Sequence, residues 1–215
     1  MPNITDFTFF NKPNVLNIAL ATTQPSTVTT VANPSNQKGL ENTITAVEND
    51  VLINSLGLTI YNELQTALVD LPSADQKWKD LVNGVEYDGK KWEGLDNDLS
   101  LLCFATYFIF MNGNTQFQTA VGVVQVNSEN SNVVSPNYKL ANAWQAFVDK
   151  YQGSKATSPL VYNINGSTFT DYYGINVSSV FVSLYEYLVD KKDDFSWSPE
   201  DFVLYNKNAN NSFGI

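Results

Sequence analysis

The run LENTITAVENDVLINSLGLTIYNELQTALVDL at residues 40–71 decides the fold class. Leu40, Ile44, Val47 and Val51 recur at helical spacing, so one face of the segment is apolar. Gly57 follows that stripe, where glycine closes a helix without a Cβ penalty. A second stripe, Ile60, Leu64, Ala67, Leu68 and Leu71, runs up to Pro72, which cannot continue a helix. Amphipathic helices in succession imply a bundle, because each must bury its stripe against another.

Downstream, the same kind of signal repeats. Ser73-Ala74-Asp75-Gln76 has the form of a capping box for a short helix holding Trp78, Leu81 and Val82, ended by Asn83-Gly84. Val85 to Trp92 reads as a tight hairpin, with Asp88-Gly89 as a type I′ turn. A mostly apolar helix is expected from about Leu95 to Met111, with Asp96 and Asp98 at its positive end. Residues 120–126 are strand-like. Ser135-Pro136 signals the start of a helix carrying Leu140, Ala141, Trp144, Phe147, Val148 and Tyr151, ended by Gly153. A second hairpin is expected over Val161–Phe169, turning at Asn165-Gly166. A last helix is expected over about Val177–Val189, with Phe181, Leu184 and Leu188 on one face, and Ser198-Pro199 is another cap signal.

The ends read differently. Residues 22–39 are almost free of large apolar side chains and cannot offset their own ordering entropy. Phe7, Phe9, Val15, Leu16, Ile18 and Leu20 before them are too many for a purely solvated tail. The segment is thus either a frayed terminus or an arm that orders on a partner. The expected organisation is mainly α: a bundle of about five to six helices, two small β-hairpins and extended terminal arms. Its parts are an N-terminal arm (1–39), a helical domain (40–190, hairpins near 85–92 and 161–169) and a C-terminal tail (191–215). Deleting residues 1–30 or 200–215 should then leave the helical core folded.

Composition restricts the chemistry. The 215 residues carry 12 basic side chains, all Lys, against 22 acidic ones, for a formal net charge of −10. There is no His and no Arg, and Cys103 is the one cysteine. Triads that need an imidazole cannot be built, nor can a zinc site of His or Cys ligands, nor an intrachain disulfide. A basic nucleic-acid-binding face is not expected in so acidic a chain. No secretory leader is expected: Met1 to Phe10 carries no Lys, and an Asn/Thr-rich stretch follows. The longest apolar run, Leu101–Met111, is well short of the roughly 20 residues a membrane span needs. Four Asn-x-Ser/Thr matches occur, at Asn3, Asn165, Asn176 and Asn210, where about four are expected by chance from 26 Asn, so they carry no signal.

Carboxylates are the remaining catalytic option. Glu93, Asp96 and Asp98 cluster, as do Asp190, Asp193 and Asp194. A glycosidase needs two carboxyl groups facing one cleft. Read locally, the first cluster caps a helix, and the second, interleaved with Lys191 and Lys192, is a solvated helix end. Asp96/Asp98 spacing matches no calcium loop. Gly89-Lys90-Lys91 lacks the flanking residues of a phosphate loop and reads as the return strand of the hairpin. Cys103, in the most apolar helix, is expected to be inert core. Trp78 and Trp144 fall on core stripes, while Trp92 and Trp197 are candidates for exposure at a protein interface. No catalytic, cofactor-binding or metal-ligating residue is singled out.

An ordered series of segments between residues 40 and 153 resembles the head–tail connector (adaptor, or neck-ring) proteins of tailed bacteriophages, especially phages of Bacteroides and crAss-like phages. The series comprises Leu56-Gly57 followed by Ile60-Tyr61-Asn62-Glu63-Leu64, then Leu81-Val82-Asn83-Gly84-Val85-Glu86-Tyr87 leading into a Trp-containing hairpin. The aromatic helix Gly94–Met111 comes next. It is followed by Thr119–Gln125, the Asn/Ser-rich stretch 127–135 and a helix with Ala143-Trp144. The resemblance implies a non-enzymatic virion protein at the head–tail interface, made in the host cytoplasm. It would assemble as a homo-oligomeric ring on the portal, extend the DNA channel and dock the next neck or tail component. DNA would be passing cargo, and no membrane or cofactor is implied. Residues 1–39 and 155–215 lie outside the resemblance. Another virion component, such as a tail-completion or packaged protein, and a carboxylate-based glycan enzyme are the alternative readings.

Overall fold

A computed structural model describes residues 2–12, 14–18, 21–22, 31–32, 34–114, 117–119, 122–124, 137–153, 162–164, 167–169 and 180–206. The protein is mainly helical, a bundle with small antiparallel hairpins. A 3-10 turn at Phe7–Asn11, capped by Asp6, is followed by a two-residue pair, β1 (Ala21–Thr22) and β2 (Val31–Ala32). Helix α1 spans Pro34–Val69 and is broken at Gly57, whose φ of 76° and ψ of 158° are not helical. An L side chain is strained at that φ, so glycine sets the kink. Leu40, Ile44, Val47, Val51, Leu52 and Leu56 are buried before the break, and Ile60, Tyr61 and Leu64 after it. Ala67, Leu68 and Leu71 are only partly covered.

Pro72 lies in a 3-10 turn, Leu71–Ser73, which moves the next helix start past Ser73. The expected capping box therefore does not form. Asp75 precedes α2 (Gln76–Asn83) without a side-chain cap, and Gln76 Nε2 donates to Asp80 Oδ1 instead, at 2.6 Å. Trp78, Leu81 and Val82 are buried as their spacing requires. The hairpin β3 (Val85–Tyr87) and β4 (Lys90–Trp92) pairs Val85 with Trp92 and Tyr87 with Lys90. Asp88 and Gly89 both have positive φ, 47° and 75°, as a type I′ turn demands. At its base, Gly84 and Gly94 cross backbone to backbone. A Cβ on Gly94 would meet Gly84 N at 2.5 Å, and one on Gly84 would meet Trp92 O at 2.7 Å.

Helix α3 spans Leu101–Asn114, starting later than the apolar pattern suggests. Residues 95–100 are instead held in turns: Leu95 and Asp96 N–H both donate to Val82 O, and Asn97 Oδ1 accepts from Leu99 N–H. Ser100, not Asp96 or Asp98, takes the capping position, its Oγ accepting from Cys103 N–H at 3.3 Å. Residues 101–108 of α3 are all buried. Of the strand expected at 120–126, residues 122–124 form β6 (Gly122–Val124), paired with β5 (Phe117–Thr119), and the rest of that stretch lies outside the described residues. Helix α4 (Asn137–Gln152) packs along α3 and buries Leu140, Ala143, Phe147, Val148 and Tyr151. Its anticipated cap, Ser135-Pro136, lies outside the described residues. β7 (Tyr162–Ile164) pairs with β8 (Ser167–Phe169) through the expected two-residue connection, although Asn165-Gly166 themselves lie outside the described residues.

The last long helix was expected from Val177, but α5 covers only Leu184–Asp190. Ser183 and Glu186 form a reciprocal capping box that fixes its start. Residues 180–182 run extended beside β4: Lys91 N–H donates to Val180 O at 2.6 Å, and Val182 N–H to Lys91 O at 3.1 Å. Phe181 is therefore on a strand-like edge and not on a helix face. A short α6 (Lys192–Phe195) and a 3-10 turn at Pro199–Asp201, capped by Ser198, follow.

Among the described residues, the segments before α1 and after α5 carry no long regular element, but they are not detached. Ile4, Phe10, Leu16 and Ile18 belong to the same core as α1, and Trp197 and Phe202 close it from the other end. Deleting residues 1–30 would strip fully buried side chains from the bundle, contrary to the arm-like expectation.

Candidate interaction surface

Two polar residues at stripe positions organise the ends of the chain. Glu48 lies one turn beyond Ile44 on α1 and is 2% exposed. Its carboxylate accepts the backbone N–H of Ile4 at 3.1 Å and of Thr5 at 2.5 Å. Asn3 Nδ2 adds a bond to Thr45 Oγ1 one turn away. Among the described residues Glu48 has no ion-pair partner. Burial raises its pKa above the usual carboxylate range, and nearby Asp96 adds to this, while the two amides work the other way. A surface pair, Lys12 with Asp98 at 3.1 Å, also ties this segment to the turn before α3.

The C-terminal segment is held mostly by neutral groups, with the Asp50 carboxylate among its partners. Trp197 Nε1 donates to Ser55 O at 2.8 Å, just before the Gly57 kink. Val203 N–H donates to Asn54 O at 2.8 Å. Gln152, fully buried one turn beyond Val148, bonds both ways to Tyr205: its Oε1 accepts from Tyr205 N–H and its Nε2 donates to Tyr205 O, each at 2.8 Å. Trp144 Nε1 reaches Asn206 O at 2.8 Å. The Tyr205 ring packs edge-on against Phe147 and Tyr151, with centroids 5.1 and 5.0 Å away. Its hydroxyl accepts from Asn54 Nδ2 at 2.9 Å and donates to Asp50 Oδ2 at 3.2 Å. Burial, with Asp50 beside it, pushes the Tyr205 phenol up to about 12. Composition did not point to Glu48, Gln152 or Tyr205. The available signal was a polar side chain falling on an apolar stripe, at 44/48 and at 148/152.

The residues weighed for chemistry are engaged structurally. Glu93 pairs with Lys150 across to α4, and Asp190 accepts from both Lys90 Nζ, at 2.6 Å, and the Tyr87 hydroxyl, at 3.0 Å. Asp193 and Asp194 lie in the first turn of α6, and Lys191 lies over the Tyr87 ring. Lys90 and Lys91 are on the return strand of the hairpin. Cys103 is buried, its Sγ facing Asn97 O at 3.3 Å, and burial pushes the thiol up to about 12. Trp92 and Trp197, expected at the surface, are buried instead. Each indole N–H finds a distant carbonyl, Leu81 O and Ser55 O, which removes the penalty of enclosing it. No group of three or more metal-ligating side chains occurs among the described residues. A depression lined by Trp92, Glu93, Ser100 and Lys150 encloses about 200 Å³, part of it open solvent.

The surface does carry large apolar side chains. Val69 is 78% exposed, Val15 68% and Leu58 61%, and Ile109 is uncovered on a helix otherwise buried along residues 101–108. Val203 and Leu204 also face outward beside the docked Tyr205. No helix among the described residues is long and apolar enough to cross a membrane. No protein-family model matches the chain, and no curated protein or solved structure similar to it is found.

Proposed function

We propose that this chain is a structural virion protein, a head–tail connector that assembles as a ring on the portal, extends the DNA channel and docks the next neck component. The observation that carries the reading is the ordered series of segments between residues 40 and 153 that resembles such connectors. Those segments make up the kinked α1, the α2–hairpin unit, α3 and α4. Two further features support it. Several large apolar side chains, Leu58, Val69 and Ile109 among them, remain exposed, which is compatible with subunit contacts. A net charge of −10 suits a channel wall past which phosphates must slide without being gripped.

The test is cross-linking and quantitative mass spectrometry on purified phage particles that carry this protein. A copy number equal to that of the portal, with cross-links from this chain to the portal, is the expected result. Presence in the particle without portal links moves the protein to another virion role. Absence from the particle overturns the structural reading.

A further inference from the structure

We propose that the outward edge of residues 202–206 is a pairing surface for the same edge of a second copy, joined antiparallel about a two-fold axis at Leu204. The segment leaves the bundle's last turn in an extended conformation, with Phe202 at φ −85° and ψ 113°. Its inward main-chain groups are two residues apart, as in a strand. Val203 N–H donates to Asn54 O, and Gln152 bonds both the N–H and the C=O of Tyr205. The N–H and C=O of Leu204, between them, therefore point away from α1 and α4, and neither has a hydrogen-bond partner among the described residues. Val203 and Leu204 are 49% and 47% exposed. An edge of this kind is a template for another chain. The hairpin shows how the same chain protects an edge elsewhere: residues 180–182 cover β4, and β3 carries the exposed charge of Glu86.

Charge complementarity selects a second copy as the occupant. Phe202–Asn206 holds no charged residue in a chain of net charge −10, so two acidic copies can meet along it without a like-charge contact inside the edge. The run is bounded by Asp201 on one side and Lys207 on the other, each three positions from Leu204. Antiparallel pairing with Leu204 opposite Leu204 sets an acid against a base at both ends, and opposite charges across a strand pair are favourable. The two Leu204 residues then exchange the main-chain hydrogen bonds that each lacks alone. Residues 202–206 stay on their own α1 and α4 throughout. A two-fold pair joins two copies and does not propagate a ring, so this contact is separate from those the neck reading requires.

Analytical ultracentrifugation of the full chain tests the pairing. Wild type should show a reversible monomer–dimer equilibrium in a concentration series reaching about 100 μM, the range of a weak interface. A chain that stays monomeric throughout overturns the proposal. Asp201→Lys puts two base pairs of like charge across the axis and Lys207→Glu two acid pairs, so each alone should weaken the dimer by about tenfold. Mixed one to one, the two variants regain both opposite-charge pairs and should form a heterodimer as tight as the wild-type dimer. Leu204→Pro removes the outward N–H, which no group within the described residues accepts, and should abolish the dimer with the helical circular dichroism unchanged. Should that variant fail to fold, the charge exchange decides. A dimer that survives a folded Leu204→Pro, or that is indifferent to the charge exchange, forms elsewhere and overturns the proposal. Neither result alters the virion copy number, which tests the neck reading.

Discussion

The two ends of the chain reach the same core by opposite chemistry. Residues 4 and 5 are clasped by Glu48, an enclosed carboxylate with no cation among the described residues, whose partners are backbone amides. Residues 197–206 are clasped by indoles, a neutral amide and a cluster of rings. A buried charge without a counterion has a desolvation cost that varies with pH, whereas a neutral amide pair holds equally across the range where Glu titrates. The Glu48 clasp should respond to acid and the Gln152 amide clasp should not.

Removing the largest neutral anchor should weaken that comparison most. Trp197→Ala opens a cavity and leaves Ser55 O without its donor, at about 3–5 kcal/mol, read as a fall in the urea midpoint. A loss under about 1 kcal/mol would mean the tail contributes little to the core. Gln152→Ala strands both main-chain groups of Tyr205 and should cost about 2–3 kcal/mol, by the same amount at pH 5 and pH 7. A cost that varies over that range would break the neutral half of the contrast.

Glu48→Gln sharpens the acid half. Because the folded-state pKa of Glu48 is raised above its ordinary 4.5, the folded protein binds the proton more readily than the unfolded chain between those two values. Its contribution to stability is fully present below 4.5 and is lost as pH rises through the raised value. Wild type should therefore gain on Glu48→Gln as pH falls from neutral to 4.5 and level off below, in paired urea titrations. A constant difference would show that Glu48 titrates normally. The smallest effect is expected at Tyr151, whose buried hydroxyl has no hydrogen-bond partner among the described residues. Tyr151→Phe removes that polar atom and should leave stability unchanged or raise it by up to about 1 kcal/mol, seen as an equal or higher thermal midpoint.

The features that were legible from sequence are the local ones. The Gly57 break, the burial of Trp78, Leu81 and Val82, and the Asp88-Gly89 turn each depend on residues a few positions apart. The misreadings share a cause. Trp92 is buried because its indole meets Leu81 O, and Trp197 because its indole meets Ser55 O, 142 positions away. Residues 180–182 extend because β4 offers them a pairing edge, and residues 95–100 turn because Val82 O takes two amides at the Gly84–Gly94 crossing. Helical periodicity reports on one face of one segment and is silent about partners of this kind. The grip on both termini was least legible, since it rests on Glu48 and Gln152 interrupting apolar stripes.

Native-state hydrogen exchange on the intact chain tests most directly that both ends are part of the folded unit. The amides of Thr5 and Tyr205 should be protected to within about tenfold of the core amides of α1. Exchange of either amide at the rate of an unstructured peptide would contradict the account, leaving a bundle that folds without that end.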